Sequence, residues 1–258
     1  MDTDLTQRLI ASRANGDFAP AWLVGAIDLH QALDLQLAVL DDLLERGATI
    51  GGWKVGLTSE SSRQKLGADE RPFGFVLADK VLASGESVAA AAIRDLSIEA
   101  EMCFTMGADI ADPDIGPDRI LDFVAEVSAG LELNEARPGS ARPDFPVLVT
   151  DCLTNWGIVH GTGIAPGPDH ARTAATLSAT TVRMFRNGTQ VFEGVSSDHL
   201  DDHAVSLCRL VEQLARHGRG LRAGQRVITG AFARFAARPG ERWACDFDGI
   251  GRVEIQVV

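Results

Sequence analysis

Lysine is nearly absent from this chain. Only three occur, Lys54, Lys65 and Lys80, against 21 arginines, so a lysine in an unusual setting stands out. Excess positive charge is also missing. The formal net charge is −12 and the basic residues are dispersed rather than gathered into a stripe, which excludes the electrostatic footprint of a nucleic-acid binder. The four cysteines, Cys103, Cys152, Cys208 and Cys245, form no CxxC pair. Neither a disulfide framework nor a zinc knuckle is indicated, and they read as small buried apolar residues. No apolar run approaches the roughly 20 residues of a membrane-spanning helix. The first residues, MDTDLTQRLIASRANGDFAPAW, lack the charged, apolar, small order of a secretory signal, so a cytoplasmic location without a membrane partner is expected.

The 258 residues are 45% hydrophobic and 23% charged, an ordinary globular composition. A chain of this length buries roughly 70 to 75% of its extended surface, enough for one large domain or a small one fused to a larger one. Helix-spaced apolar residues run from Asp4 to Ala14 and from Asp28 to Arg46, where Leu33, Leu37, Leu40 and Leu44 share a face and Gly47 marks the stop. Short strands with glycine turns follow: Ile50–Thr58, Phe73–Leu77 and Leu96–Met106. The change of texture places a boundary near residue 85. Residues 1–85 form a smaller α/β N-terminal region and residues 86–258 the larger domain.

Downstream, the pattern predicts a helix over Asp118–Glu126, strands over Val127–Asn134 and Trp156–His160, and a Pro-rich loop over Arg137–Pro146 between them. Asn187-Gly188 between two strand-like runs signals a two-residue hairpin. A helix over Asp202–His217 and strands at Arg226–Thr229, Arg242–Phe247 and Gly251–Val257 complete the α+β pattern.

The chemistry concentrates in Leu96-Ser97-Ile98-Glu99-Ala100-Glu101-Met102-Cys103-Phe104. In a strand, residues two apart share a face, so Glu99 and Glu101 project together while Ile98, Ala100, Met102 and Phe104 face the other way. Neighbouring like charges need solvent, a proton or a cation. A hard divalent cation prefers such oxygens, whereas a solvated outer face is the plainer alternative for a bare Glu-x-Glu. A second alternating segment, Ala129–Asn134, puts Glu132 and Asn134 opposite Leu131 and Leu133. Glu132 completes a three-carboxylate set if the two strands are close. Lys54 lies in the apolar, glycine-flanked run Gly51–Thr58, either as a group for a substrate carboxylate or a proton, or as an edge lysine reaching water along its stem.

In their order, these blocks resemble the 2-oxopent-4-enoate hydratase and 4-oxalocrotonate decarboxylase family of the fumarylacetoacetate hydrolase superfamily. The resemblance rests on Gly52-Trp53-Lys54-Val55-Gly56-Leu57-Thr58, Arg71-Pro72-Phe73-Gly74 leading to Ala78-Asp79, the Ile98–Phe104 acid pair, Gly130-Leu131-Glu132, Asp151–Gly161, and Gly220–Gln225 before Ile228-Thr229-Gly230. It implies a helical N-terminal region followed by a mixed β-roll core of the superfamily's C-terminal domain type. It also implies Mg2+ or Mn2+ on Glu99, Glu101 and Glu132, with Lys54 and Asp79 catalytic and Trp53, Leu57, Phe73 and Thr229 joining Lys54 around the substrate. The implied substrate is a small 2-oxo or 2-hydroxy-dienoic acid from the catabolism of aromatic compounds. The expected assembly is a homo-oligomer, alone or in complex with a homologous decarboxylase or hydratase.

The expected reaction is addition of water to a 2-hydroxy-2,4-dienoate. Its alternative is decarboxylation of a 2-oxo-3-enedioate, with Arg137 or Arg142 for the second carboxylate. An acylpyruvate hydrolase fits less well, for want of a His-acid pair in the N-terminal region, and a non-catalytic subunit would have no use for the acids. The chain departs from the family at Ser197–His203, where a Gly and Pro-containing turn is common, and after Gly230, where serine is frequent. His199 and His203 are four apart, a metal-ligand spacing, but the flanking aspartates favour a solvated helix cap. Trp53, Phe73, Phe75, Trp156 and Phe232 are read as core or as the wall of an apolar pocket.

Overall fold

Residues 3–258 are described by a computed structural model. Two helices open the chain, α1 (Thr3–Ala14) and α2 (Leu29–Glu45). The start of α2 is fixed by a reciprocal cap in which the Asp28 side chain accepts from the Gln31 N–H and the Gln31 side chain accepts from the Asp28 N–H. There follow β1 (Ile50–Val55), α3 (Glu60–Leu66), β2 (Phe73–Leu77), β3 (Val81–Ala83), β4 (Ser87–Val88), β5 (Ser97–Met106), β6 (Val124–Asn134), α4 (Phe145–Thr150), β7 (Asn155–His160) and α5 (His170–Ala179). The chain closes with β8 (Thr181–Arg186), β9 (Thr189–Val195), α6 (His203–Arg216), β10 (Arg226–Ala236), β11 (Arg242–Phe247) and β12 (Gly251–Val257).

The strands form two sheets, one of seven in the order β2-β1-β10-β5-β6-β7-β3 and one of five in the order β4-β12-β11-β8-β9. Only the short turn Ala78–Lys80 separates β2 from β3, yet they occupy opposite edges of the larger sheet. Such a sheet has to curl on itself, and the result is a roll. Residue 85 falls in the turn between β3 and β4, which belong to different sheets, while β1, β2 and β3 share theirs with strands from after that point. Of the N-terminal region, α1 and α2 lie outside the sheets.

Alternation assigns the two faces of the roll. Ile98, Ala100, Met102 and Phe104 of β5, each fully buried, join Leu131 and Leu133 of β6 and the apolar sides of α2 and α6 in one large core. Each such Leu, Ile, Met or Phe side chain contributes about 1.5–3 kcal/mol. On the other face Val76, Cys103, Ile158 and Ile228 form a small cluster of their own. In register, Lys54 lies opposite Ile228, Ile228 opposite Cys103, and Glu132 opposite Ile158, so the charged residues share this inner face.

The structure departs from expectation at Asp118–Glu126. There Ile120–Phe123 is a 3-10 turn and β6 already begins at Val124, pairing with Met106. Tertiary pairing with the ten residues of β5 overrides a helical spacing that Ile120, Leu121 and Val124 also satisfy. The hairpin at Asn187-Gly188 is as expected, with φ of +53° and +79°.

The inner face is crowded where strands cross. Gly52 pairs with Arg226, and a Cβ at Gly52 would overlap the Arg226 carbonyl oxygen. Gly52→Ala is therefore expected to cost about 1–3 kcal/mol of stability, the range for an overpacked interior. A urea midpoint unchanged from wild type would show that β1 and β10 are not in this register.

Candidate functional site

Glu99 and Glu132 are direct cross-strand partners, and Glu101 lies two residues along β5 on the same face. One oxygen from each of the three carboxylates falls within 4.8 Å of the others. Glu101 and Glu132 are buried and Glu99 is partly so. Like charges set opposite each other in a sheet repel, so the surroundings supply donors. Lys54 Nζ lies 2.7 Å from Glu132 Oε1 and donates to Oε2 at 2.9 Å. Asn155 Nδ2 donates to Glu132 Oε1 at 2.7 Å, Asn134 Nδ2 to Glu99 Oε2 at 3.2 Å, and the Gly230 N–H to Glu101 Oε2 at 2.7 Å.

That last donor exists because β10 slips register against β5 between Ile228 and Ala231, turning one backbone N–H inward. Thr229 Oγ1 pins the slip from the far side through His203 Nδ1 at 2.7 Å, and His203 Nε2 meets Ser196 Oγ at 2.9 Å.

Burial pushes the Glu132 carboxyl up, but Lys54, together with hydrogen bonds from its neighbours, holds it below the ordinary range. Burial and the Glu132 charge raise Glu99 to about 7 and Glu101 well above its ordinary value. Burial disfavours the Lys54 ammonium, yet the three glutamates together raise it, so it stays protonated. One buried cation faces three carboxylates. Oxygen donors that resist ionising for want of positive charge fit a hard divalent cation, and the residues present therefore suit such an ion.

The centre opens on a cavity of about 310 Å³ bordered by Lys54, Leu57, Ser59, Ser62, Leu153 and His199. Gly56 leaves room for Leu153, whose Cδ1 would lie 2.6 Å from a Cβ there. Leu57 itself is left-handed, at φ +50°.

Of the residues singled out in the sequence, the structure brings together Lys54, Leu57, Glu99, Glu101 and Glu132. Trp53 and Phe73 go elsewhere. They meet edge to face at 5.8 Å on the core side of β1 and β2, because they alternate with Lys54 and Gly74. Thr229 spends its hydroxyl on His203 and does not line this cavity. Asp79 lies past the far end of β1, where Ile50 pairs with Leu77; its side chain is 69% exposed and 3.5 Å from Lys80. None of Trp53, Phe73, Phe75, Trp156 or Phe232 lines the cavity. Arg137 is held by Glu135 and Asp151, and Arg142 is exposed.

The two histidines are neither a ligand pair nor a solvated cap. Asp202 caps α6, His203 is buried, and His199 stands between Phe192 and Phe232 at 5.4 and 5.8 Å on the cavity wall. Sequence reasoning weighed His199 only as a metal ligand or a cap, and missed Asn155, Leu153 and Gly230. Only Gly230 carried a local signal, as an isolated glycine in a strand.

A curled mixed sheet with three inward carboxylates beside a buried lysine defines a metal-site fold. Residues 53–258 match the family described as fumarylacetoacetate (FAA) hydrolase, C-terminal. The chain belongs to that family. It is 29% identical over 213 residues to a 2-keto-4-pentenoate hydratase of Paraburkholderia xenovorans, covering 81% of this chain and 77% of that protein. It is 25% identical over 250 residues to a 4-oxalocrotonate decarboxylase of Pseudomonas sp, covering 96% and 94%. The solved 4-oxalocrotonate decarboxylase from Pseudomonas putida G7, complexed with magnesium and adipate, superposes with a TM-score of 0.86 at 20% identity, covering 100% of this chain and 99% of that one. The expected α+β architecture, a helical N-terminal region and a mixed β-roll, is the one observed.

Burial forces His203 down to about 3, so it is neutral in the fold. A histidine lowered from its ordinary value stabilises the fold above that value, and the contribution is lost as pH falls toward the folded one. Replacing it by glutamine should remove about 2 kcal/mol of the stability lost between about pH 7.5 and 5, read from urea midpoints. Equal acid sensitivity in wild type and His203→Gln would show that this histidine is not buried neutral.

Proposed function

We propose that this chain is a divalent-metal-dependent hydratase that adds water to a 2-hydroxy-2,4-dienoate, giving a 4-hydroxy-2-oxo acid. The observation that carries the reading is a buried, carboxylate-rich centre beside a protonated lysine, open to a small cavity. Mg2+ or Mn2+ on Glu99, Glu101 and Glu132 suits the all-oxygen donor set. Bound there, such an ion supplies Lewis acidity and a template for a carboxylate and its adjacent oxygen.

The remaining chemistry falls to the chain. Lys54 grips the substrate carboxylate or delivers a proton, and the glutamates beside it favour its ammonium form. Asp79 does not line this cavity, so the base is sought on the cavity wall. The imidazole on the cavity is His199, a nitrogen base on the wall that is placed to take the proton of the attacking water. Leu57 and Leu153 exclude bulk water from the carbon chain.

A second reading, decarboxylation of a 2-oxo-3-enedioate, is favoured by the near full-length match to the decarboxylase. It needs a cation for a second carboxylate, and no arginine borders this cavity, so the hydratase stands first. Assembly as a homo-oligomer belongs to the same proposal.

Purified protein with Mg2+ or Mn2+ is expected to consume 2-hydroxypenta-2,4-dienoate without releasing carbon dioxide, followed by ultraviolet absorbance and carbon dioxide capture. Carbon dioxide from 2-oxohex-3-enedioate would select the decarboxylase, and inactivity on both would overturn the proposal. Lys54→Met should remain folded and metal-loaded but lose roughly a hundredfold to ten-thousandfold in turnover, the range of acid-base groups. Near wild-type turnover would make this lysine structural.

A further inference from the structure

The turn after α4 contains three consecutive left-handed residues, Cys152 at φ +53°, Leu153 at +56° and Thr154 at +68°. Non-glycine residues visit this region singly, because Cβ crowds the following carbonyl. A run of three persists only where its surroundings over-determine it.

The surroundings do so on both sides. Before the turn, buried Asp151 Oδ1 accepts from Arg13 Nη1 at 2.9 Å and from Arg137 Nη1 at 2.6 Å. One arginine comes from α1 and the other from the segment after β6, so the clamp ties together elements far apart in sequence. After the turn, Thr154 Oγ1 donates to Asn134 Oδ1 at 3.0 Å, and Asn134 Nδ2 in turn reaches Glu99. The next residue, Asn155, donates to Glu132. Through the clamp, α1 is linked to two of the three carboxylates.

We infer that Asp151, clamped by Arg13 and Arg137, is a positioning residue for the carboxylate centre. It holds the left-handed turn so that Thr154 and Asn155 set the orientation of Glu99 and Glu132. Amides fix which way a carboxylate presents its oxygens, and such outer partners are worth about ten- to a hundredfold in metal affinity. The inference rests on the reading of Glu99, Glu101 and Glu132 as metal ligands.

If the turn served stability alone, affinity would follow stability. Thr154→Gly separates the two. Glycine takes φ +68° without strain, so the fold should be as stable as wild type or more so, while the hydroxyl that orients Asn134 is lost. The experiment measures Mn2+ affinity by calorimetry and urea midpoints on the full chain for Asp151→Asn, Thr154→Gly, Thr154→Ser, Glu99→Gln and Ile255→Ala. The last places a cavity in the five-stranded sheet, whose strands carry none of the three carboxylates.

Affinity is expected to fall about tenfold or more in Asp151→Asn and Thr154→Gly, with Thr154→Gly undiminished in stability. It should be retained in Thr154→Ser, which keeps the hydroxyl, and in Ile255→Ala despite that variant's lower midpoint. Loss in Glu99→Gln alone, or affinity that merely tracks the midpoints, Ile255→Ala included, overturns the inference and leaves the metal reading standing. Wild-type affinity in Glu99→Gln as well overturns the metal reading itself. Should Asp151→Asn fail to fold, Thr154→Gly decides the matter.

Discussion

The contact between Lys54 on β1 and Glu132 on β6 reaches across the two strands, β10 and β5, that lie between them in the seven-stranded sheet, and most irregularities of the fold surround it. Three carboxylates and one ammonium cannot occupy an inner sheet face without help, because repulsion between Glu99 and Glu132 grows as water is removed. Help comes from groups that a regular sheet would not turn inward. A register slip presents the Gly230 N–H to Glu101, and a left-handed turn brings up Asn155. Glycines at 52, 74 and 130 leave out side chains that would strike Arg226, Cys152 and Cys103. Each costs the sheet some regularity, and each relieves crowding or charge near the centre.

The two faces of the roll divide the labour. The large core, with Trp53, Phe73 and Phe104, supplies most of the buried apolar area. The small cluster of Val76, Cys103, Ile158 and Ile228 lies beside the acids on the inner face and keeps water from that side. Hydrogen bonds and ion pairs strengthen in such a medium, and unpaired charge becomes costly. That is why Glu132, fully buried but paired with Lys54, stays below the ordinary range while Glu99 rises to about 7.

How much of this was legible in the sequence depended on whether a signal was local. Strict alternation in Ile98–Phe104 and Ala129–Asn134 put the three acids on common faces, and the register then made Glu99 and Glu132 neighbours. Lys54 was conspicuous because the chain has so few lysines. The residues that shape the centre from elsewhere were not legible. Nothing near Asn155 announces that it reaches Glu132, and a histidine after Ser197-Asp198 reads as surface until the turn carries it to the cavity. Trp53, Phe73 and Asp79, expected at the substrate, lie off the cavity for the complementary reason. Proximity in sequence to Lys54, or membership of the same motif, does not fix a face, and alternation sends the two aromatics to the core.

The cavity is charged at one end only, and this bears on which substrate the proposed chemistry would accept. Lys54 and the acids occupy one part of the wall, while Leu57, Ser59, Ser62, Leu153 and His199 supply side chains elsewhere on it. A monocarboxylic dienoate can place its anionic end at the charged part and its carbon chain against the two leucines. A dicarboxylate would set its second charge among hydroxyls and an imidazole, and an anion removed from water without a cation or a full set of donors is strongly disfavoured. The nearby arginines do not relieve this, since Arg63 and Arg71 are both bonded to Asp201, and Arg234 is held by Ser97 and lies 3.7 Å from Glu99 at the charged part. On the proposed reading, the preference for water addition over decarboxylation therefore follows from where positive charge is absent, even though the carboxylate centre suits both reactions equally.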